Sequence, residues 1–320
     1  MVAWSLFRGG DEAWDAALAR APGANVFQSS AWARHKADFG WRPLRALTEG
    51  AAVQALVKDL PPMRMLWARG GPVGEPALWD AGLRETLARE AGGALFYGRI
   101  CSYREAGAAV LDAAGWTRPK RPLDKPSTYL LDLAPDVESL REGQSSNWRH
   151  NLKRGNARAV VVDWSDPDPK EMESLYLSLE SLKGLPPQHR AASLGSLARA
   201  LGPALILKRA VVDGKTVALR ACAVFGDSSV DLLAAAAGEA RKVYASYALL
   251  WSLILESKRR GAKNYDLGGA DAVAAPGVAD FKKGTGARPI ETLGERDFAS
   301  PAFLRAPAGA LIAWKLGKGA

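Results

Sequence analysis

Residues 246–260, SYALLWSLILESKRR, place apolar side chains at Tyr247, Leu250 and Ile254 and at Leu249 and Leu253, with Trp251 and Leu255 widening the stripe until little polar face remains. This spacing predicts a helix buried over most of its circumference. Lys258, Arg259 and Arg260 fall in its last turn, where cations offset the exposed carbonyls, and Gly261 suits a left-handed cap. A short strand ending in Gly268–Gly269 follows. Elsewhere the period changes to two. RALTEGAAVQAL from Arg45 and RAVVDGKTVALR from Arg209 each read as strand, acidic residue and glycine, and second strand, which is a hairpin signature.

The agreement between those two stretches extends beyond the hairpins. Each is followed by a strand (MRMLWA, SVDLLAAAA), a glycine-bearing loop (RGGPVGEP, GEARKVYAS), a helix, a glycine and a terminal strand (GGALFYGRI, GAKNYDLGG). A helix also precedes each: SAWARHKADFG, stopped by Gly40, and DPDPKEMESLYLSLESLKG, with Asp168 as N-cap, Pro169 at the first helical position and Glu171 completing a capping box. The pattern predicts two copies of one α/β unit, each a mostly antiparallel twisted sheet flanked by helices. The expected bounds are 1–140 and 141–300, divided near the polar run DVESLREGQSS. In residues 301–320, Phe303, Leu304, Leu311, Ile312, Trp314 and Leu316 mark a segment expected to pack back on the first unit. The competing reading is an amphipathic contact with the inner membrane surface.

Charge adds a partner class. Lys+Arg of 43 against Asp+Glu of 34 gives +9 and a pI near 9.6, which favours an anionic partner such as RNA, a nucleotide-linked substrate or a phospholipid face. The start reaches charge within eight residues, and no apolar run approaches the roughly 18–20 residues of a spanning helix, so a cytoplasmic protein is expected. Cys101 and Cys222 are single and set in apolar strands, which predicts buried thiols. His35, His150 and His189 show no ligand spacing and no nucleophile motif, which argues against metal or Ser/His/Asp chemistry.

Helix, antiparallel hairpin, glycine-bearing loop, helix and terminal strand is the order of the GCN5-related N-acyltransferase (GNAT) fold. A tandem pair of such units resembles the Fem aminoacyltransferases, which build the peptide bridges of peptidoglycan. The matching stretches are FQSSAWARHK, RGGPVG, NWRHNLKRGNARAVVV, SYALLWSLILESKRRGAKNYDLGG and GVADFKKGTGARPIETLGERDF. The resemblance implies transfer of an aminoacyl group from aminoacyl-tRNA to an amine of a peptidoglycan precursor or a related small peptide, with no metal and no bound cofactor. Two departures stand out. Val243 and Tyr244 occupy the loop where acyl-CoA relatives need glycines to hold a pyrophosphate, and FKKGTG replaces the aromatic of F-K-x-x-F-G with threonine.

The resemblance carries residue roles with it. Lys282 matches the lysine of the family's FK motif and is assigned to stabilising the oxyanion or the tRNA 3′ end, against a plain solvated pair with Lys283. Asp266, at the strand end, either receives the amine proton or caps the Gly268–Gly269 turn, whose glycines leave room for the donor. Lys36 matches a lysine that binds a precursor phosphate, against a helix-surface lysine. Arg69 with GGPVG forms a candidate anion cradle, against an ordinary turn. Tyr244 joins the substrate-binding set. Arg149, Lys153 and Arg154 share one helical side suited to RNA phosphates, with Lys283 beside them, against a solvated basic face; Trp148 reads as core rather than a base-stacking platform. Two other functions compete: an N-acyltransferase using acyl-CoA or an acyl carrier, and a non-catalytic binder of RNA or an anionic surface.

Overall fold

The computed structural model describes residues 2–93, 95–124, 126–184, 186–269, 273 and 275–317. The chain forms two compact units, Met1–Ser127 with Ile290–Lys318, and Thr128–Pro289. The first begins with β1 (Ser5–Leu6), α1 (Asp11–Leu18), α2 (Ser30–Ala37), β2 (Arg42–Thr48), β3 (Ala51–Leu60), β4 (Met63–Arg69), β5 (Val73–Gly74), α3 (Ala81–Ala91), β6 (Phe96–Ser102) and α4 (Ala108–Ala113). Next come β7 (Ser127–Asp132), α5 (Val137–Glu142), α6 (Ser146–Arg158), β8 (Val160–Asp163), α7 (Pro169–Lys183), α8 (Ala191–Leu201), β9 (Leu205–Val212), β10 (Lys215–Phe225) and β11 (Ser228–Ala236). Then follow α9 (Gly238–Lys242), α10 (Ala245–Arg259), β12 (Asn264–Asp266), α11 (Pro276–Lys283) and β13 (Arg288–Glu291). The chain ends with β14 (Gly294–Ser300) and α12 (Arg305–Gly317).

Both sheets are mixed α/β layers of the expected kind. The first runs β1-β2-β3-β4-β6-β14 with β5 on β3, and the second runs β13-β7-β12-β11-β10-β9-β8. The hairpins form where acidic-glycine pairs stand: Gly50 has φ +87, and Asp213 and Gly214 have φ 48 and 75, the two positive angles of a type I′ turn. Each sheet contains a parallel pair, β4 with β6 in the first and β11 with β12 in the second. The first core gathers Trp79, Trp116, Leu66, Leu83 and Ile100; the second gathers Trp148, Tyr265, Leu250, Leu253 and Ile254 from α10 and its neighbours. Each fully buried side chain of this size contributes roughly 1.5–3 kcal/mol.

The division of the chain differs from the sequence expectation at both ends. Asp132 and Leu131 of β7 pair with Asn264 and Tyr265, so the second sheet has begun before the polar run at 136–146. That run is polar because it holds α5, the cap of α6 and their exposed faces. The 290s return to the first sheet, with β14 antiparallel to β6 from Gly294↔Ser102 to Ser300↔Phe96. In α12, Ala308 and Ile312 are buried beside Met65 and Tyr97 of the same unit, while Phe303 and Trp314 remain exposed. The side chain of Leu316 lies outside the described residues. Among the described residues no helix is long and apolar enough to cross a membrane. Asp168 caps α7 through the Lys170 N–H at 2.9 Å, whereas Glu171 lies 3.8 Å from Arg209.

Candidate functional site

In the second unit the parallel pair is short. Ser228–Val230 pair with Asn264–Asp266, and β11 then continues to Ala236 without β12. A cavity of about 580 Å³ lies on this part of the sheet, walled by Arg220 of β10, Asp231 and Ala234 of β11, Tyr244 and Tyr247, and Phe281 and Lys282 of α11. Its charged floor is a buried fork. Arg220 Nε and Nη2 donate to Asp231 Oδ1 and Oδ2 at 3.0 and 2.5 Å, and the Tyr265 hydroxyl donates to Oδ1 at 3.1 Å. Burial works against the Arg220 charge, but Asp231 outweighs it and the guanidinium is held above its ordinary pKa. Phe281 covers this pair, its ring centroid 5.5 Å from the Arg220 guanidinium carbon.

Lys282 is buried rather than solvated, and it belongs to the last turn of α11 rather than to a loop after the sheet. Its ammonium donates to the carbonyls of Gly268 and Gly269, both at 2.9 Å. That uses two of the three hydrogens an ammonium offers. Burial lowers its pKa, Asp231 and Asp266 oppose the shift, and Arg220 adds to it. Asp266 accepts the Gly268 N–H at 2.7 Å and a hydrogen bond from the Thr128 hydroxyl. Burial pushes its carboxyl above the usual range. Gly268 has φ +74, so the turn itself calls for glycine. Asp266, Gly268, Gly269 and Lys282 therefore form one cluster, with the lysine gripping the turn that the aspartate caps.

Tyr244 sits at φ 59 before the first turn of α10, with its ring against the Arg154 guanidinium at 4.0 Å. Val243 and Tyr244 follow directly on the short helix α9. The basic stretch of α6 is divided. Arg149 donates to the Glu142 carbonyl at 2.9 Å and to that of Gln144, closing the end of α5. Arg154 packs on Tyr244 at the cavity, and Lys153 and Lys283 are exposed. Trp148 is core, its indole N–H donating to the Phe281 carbonyl at 3.1 Å.

The first unit holds Lys36 and Arg69. Ser29 caps α2 by accepting the Trp32 N–H at 3.2 Å, and Lys36 lies over the Trp32 ring at 4.8 Å. Burial lowers the Lys36 pKa to about 8, and repulsion from the neighbouring Arg69 adds to the shift. Arg69 donates to the Tyr103 hydroxyl at 3.1 Å, lies 3.7 Å from Asp124 and stacks on Phe27 at 4.3 Å. The glycines behind it serve close packing. A Cβ on Gly70 or Gly71 would meet Asn25 at 2.3 Å or Gln28 at 2.5 Å, and those side chains bind the Gly70 and Arg69 carbonyls at 2.8 Å each. His35, between Trp32 and Phe39, is driven by burial to a pKa of about 4 and is a neutral core group.

Sequence reasoning missed Arg220, Asp231, Tyr103 and Asp124. The signal for the first two was a charge inside each of two apolar strands, TVALRACAV and SSVDLLAAA, since a charge that cannot reach water needs a partner. Cys101 and Cys222 are buried free thiols, and among the described residues no group of histidines, cysteines and carboxylates has the arrangement of a metal site. A larger cavity, about 760 Å³, lies beside Trp164, Arg199 and Arg260 and includes none of the predicted residues.

Residues 210–303 match the model of the FemAB family, a span that contains β10, β11, α10 and the whole Asp266–Lys282 cluster. Among solved structures the chain is similar to FemX, with a TM-score of 0.80 at 15% identity over 92% of this chain and 96% of that one. It is also similar to a tandem GNAT protein from the clavulanic acid biosynthesis pathway, with a TM-score of 0.56 at 15% identity over 94% and 99% of the two chains. L-PGS from Bacillus licheniformis matches with a TM-score of 0.53 at 14% identity, over 86% and 89%. Comparison with curated protein sequences returns no match. The fold is thus a tandem GNAT fold of the Fem type, and the resemblance read from the sequence holds.

Proposed function

We propose that the protein is an aminoacyltransferase that moves an amino acid from aminoacyl-tRNA to an amine of a peptidoglycan precursor or a related peptide. The observation that carries this reading is the Lys282 cluster at the cavity of the second unit, within the span that matches the FemAB family. The ester of a charged tRNA is already activated, so the protein's task is to place it beside an amine and to stabilise the charge that develops on the carbonyl oxygen. Lys282, fixed by two backbone carbonyls, has its remaining hydrogen for that oxygen. Asp266 positions the lysine by holding the Gly268 turn. Lys153, Lys283 and Arg154 supply phosphate contacts for the RNA, while Arg149 supports the fold. In the first unit, Lys36 and Arg69 form a two-cation site for a phosphate of the precursor, with Tyr103 and Asp124 fixing the arginine. Tyr244 and Val243 disfavour acyl-CoA by keeping a pyrophosphate off the backbone.

The test is incubation with a mixed pool of charged tRNAs and a cell extract, followed by mass spectrometry. The expected product is an acceptor heavier by one amino-acid residue. Modification that proceeds with acyl-CoA in place of charged tRNA, with micromolar acyl-CoA binding by calorimetry, would overturn the donor assignment.

A further inference from the structure

In the cluster around Lys282 the carboxylate of Asp266 is taken up by the Gly268 N–H and the Thr128 hydroxyl, which leaves the acceptor amine in need of another base. An α-amine or lysine amine is largely protonated at neutral pH and must lose a proton before it can attack an ester. A histidine–carboxylate pair stands on α7 and the segment after it. Tyr176, Leu179, Glu180 and Lys183 follow one another at helical spacing along one side of α7. Past Gly184 the chain returns, so that His189 Nδ1 lies 2.9 Å from Glu180 Oε1 and the Gln188 N–H donates to the same oxygen at 3.1 Å. The imidazole lies flat on the Tyr176 ring, with centroids 3.7 Å apart and planes at 13°. Tyr176 is itself fixed, its hydroxyl accepting the Ala234 N–H at 2.9 Å.

This arrangement sets the tautomer. Glu180 is buried, which raises its pKa, but hydrogen bonds from His189 and the Gln188 backbone outweigh burial and hold the carboxyl below its ordinary value. An ionised carboxylate only accepts, so Nδ1 carries a hydrogen, and whenever the ring is neutral the lone pair is on Nε2. The imidazole is about 38% exposed while its carboxylate is buried, so one edge of the ring is open. His189 lines a cavity of about 230 Å³, and Leu179, Lys183 and Ala234 belong to the walls of both this cavity and the larger one holding Lys282. The charged groups around the ring are Glu180 and Lys183 of α7, the Arg190–Glu173 pair at 3.6 Å and, beyond Tyr176, the Arg220–Asp231 fork.

We infer that His189, oriented by Glu180, is the general base that takes the proton from the acceptor amine in a side bay of the donor cavity. This rests on the aminoacyl-transfer reading above. The ammonium gives one proton to Nε2, and the freed lone pair forms the C–N bond at the ester carbonyl. The ester C–O bond breaks, the departing ribose oxygen takes the second proton from the nitrogen, and the imidazolium releases its proton to solvent. Glu180 is a positioning residue that fixes the ring and stabilises the imidazolium.

In the full-length protein, His189→Gln should lower kcat by roughly 10²–10⁴ with the KM for charged tRNA retained, and should remove the rise in rate across the pH 5–8 window in which imidazoles titrate. Glu180→Gln should cost less and keep a pH-dependent limb. Added imidazole should partly restore His189→Gly. A His189→Gln protein with wild-type kcat and pH profile overturns the proposal. Nitrogen NMR of the substrate-free protein separates this failure from failure of the donor reading. The Nδ1–H tautomer in wild type, weakened in Glu180→Gln, supports the base; the Nε2–H tautomer overturns it, whichever donor the protein uses.

Discussion

The two units repeat one order of strands but finish their parallel pair differently. In the first, β4 and β6 stay paired from Arg64↔Phe96 to Arg69↔Cys101, and the Cys101 N–H continues the ladder to the Gly71 carbonyl at 3.2 Å. In the second, β11 and β12 part after Val230↔Asp266, and the sheet beyond them is walled into a cavity. The closed ladder leaves Arg69 half-buried at the end of β4 near Lys36, while the open one leaves a lysine buried against a turn. Both units also bury ion pairs, Arg99 with Glu295 at 3.0 Å in the first and Arg220 with Asp231 in the second, but only the second pair floors the proposed donor cavity. One architecture thus places two basic side chains where its strands stay together and a pocket where they separate.

The largest effect comes from breaking those pairs. Glu295→Gln and Asp231→Asn each leave a buried arginine short of its partner and should cost about 3–5 kcal/mol in urea unfolding. Only Asp231→Asn should also abolish donor binding; equal loss of binding in both variants would make the comparison one of general stability. Lys282→Ala should reduce turnover by on the order of 10²–10³ with little change in donor affinity, and Lys283→Ala should cost little. Normal turnover with a raised tRNA dissociation constant would remove the oxyanion role and leave a binding one.

Lys36→Ala should raise the dissociation constant for a phosphate-bearing precursor by roughly 10–100-fold without changing kcat, the worth of one charged hydrogen bond. The pH dependence follows from burial. Lys36 loses its proton near pH 8, so anion affinity in the first unit should fall by about a factor of ten per pH unit above it. In stability the sign is opposite: an unfolded lysine keeps its proton to about 10.5, so this side chain costs stability below pH 8 and that cost is relieved between 8 and 10.5. Calorimetric titration with pyrophosphate at pH 7, 8 and 9 checks the first statement. The smallest effect is at Lys153→Ala, which should lower the salt slope of tRNA binding by about one, whereas Arg149→Ala should instead destabilise the end of α5.

The strands and hairpins were legible because they rest on local signals: Glu49–Gly50 and Asp213–Gly214 can only be turns between alternating runs. The buried face of α10 was legible for the same reason. What the sequence hid depends on residues far apart in the chain. Nothing near Gly294 says that β14 crosses back to β6, and nothing in FKKGTG says that Lys282 ends a helix and grips carbonyls at 268 and 269. The separation of β11 from β12 is likewise a property of two strands together. The carbonyl partners of Arg149 were hidden because helical spacing places charges on a face without saying which of them reach backbone acceptors. The sequence reading set His189 aside because its partner lies nine residues back and the contact is made only by the returning chain.

In the proposed reaction the donor's aminoacyl end occupies the second unit and the anionic acceptor group the first. Hydrogen exchange with a non-hydrolysable aminoacyl-adenosine mimic of the tRNA 3′ end, and separately with pyrophosphate, tests it directly. The mimic should protect residues 228–249 and 264–284 and leave 64–74 and 96–102 unchanged, and pyrophosphate should protect 27–37 and 69–74. Protection of the first sheet by the mimic, with none at 264–284, would place the donor in the first unit instead.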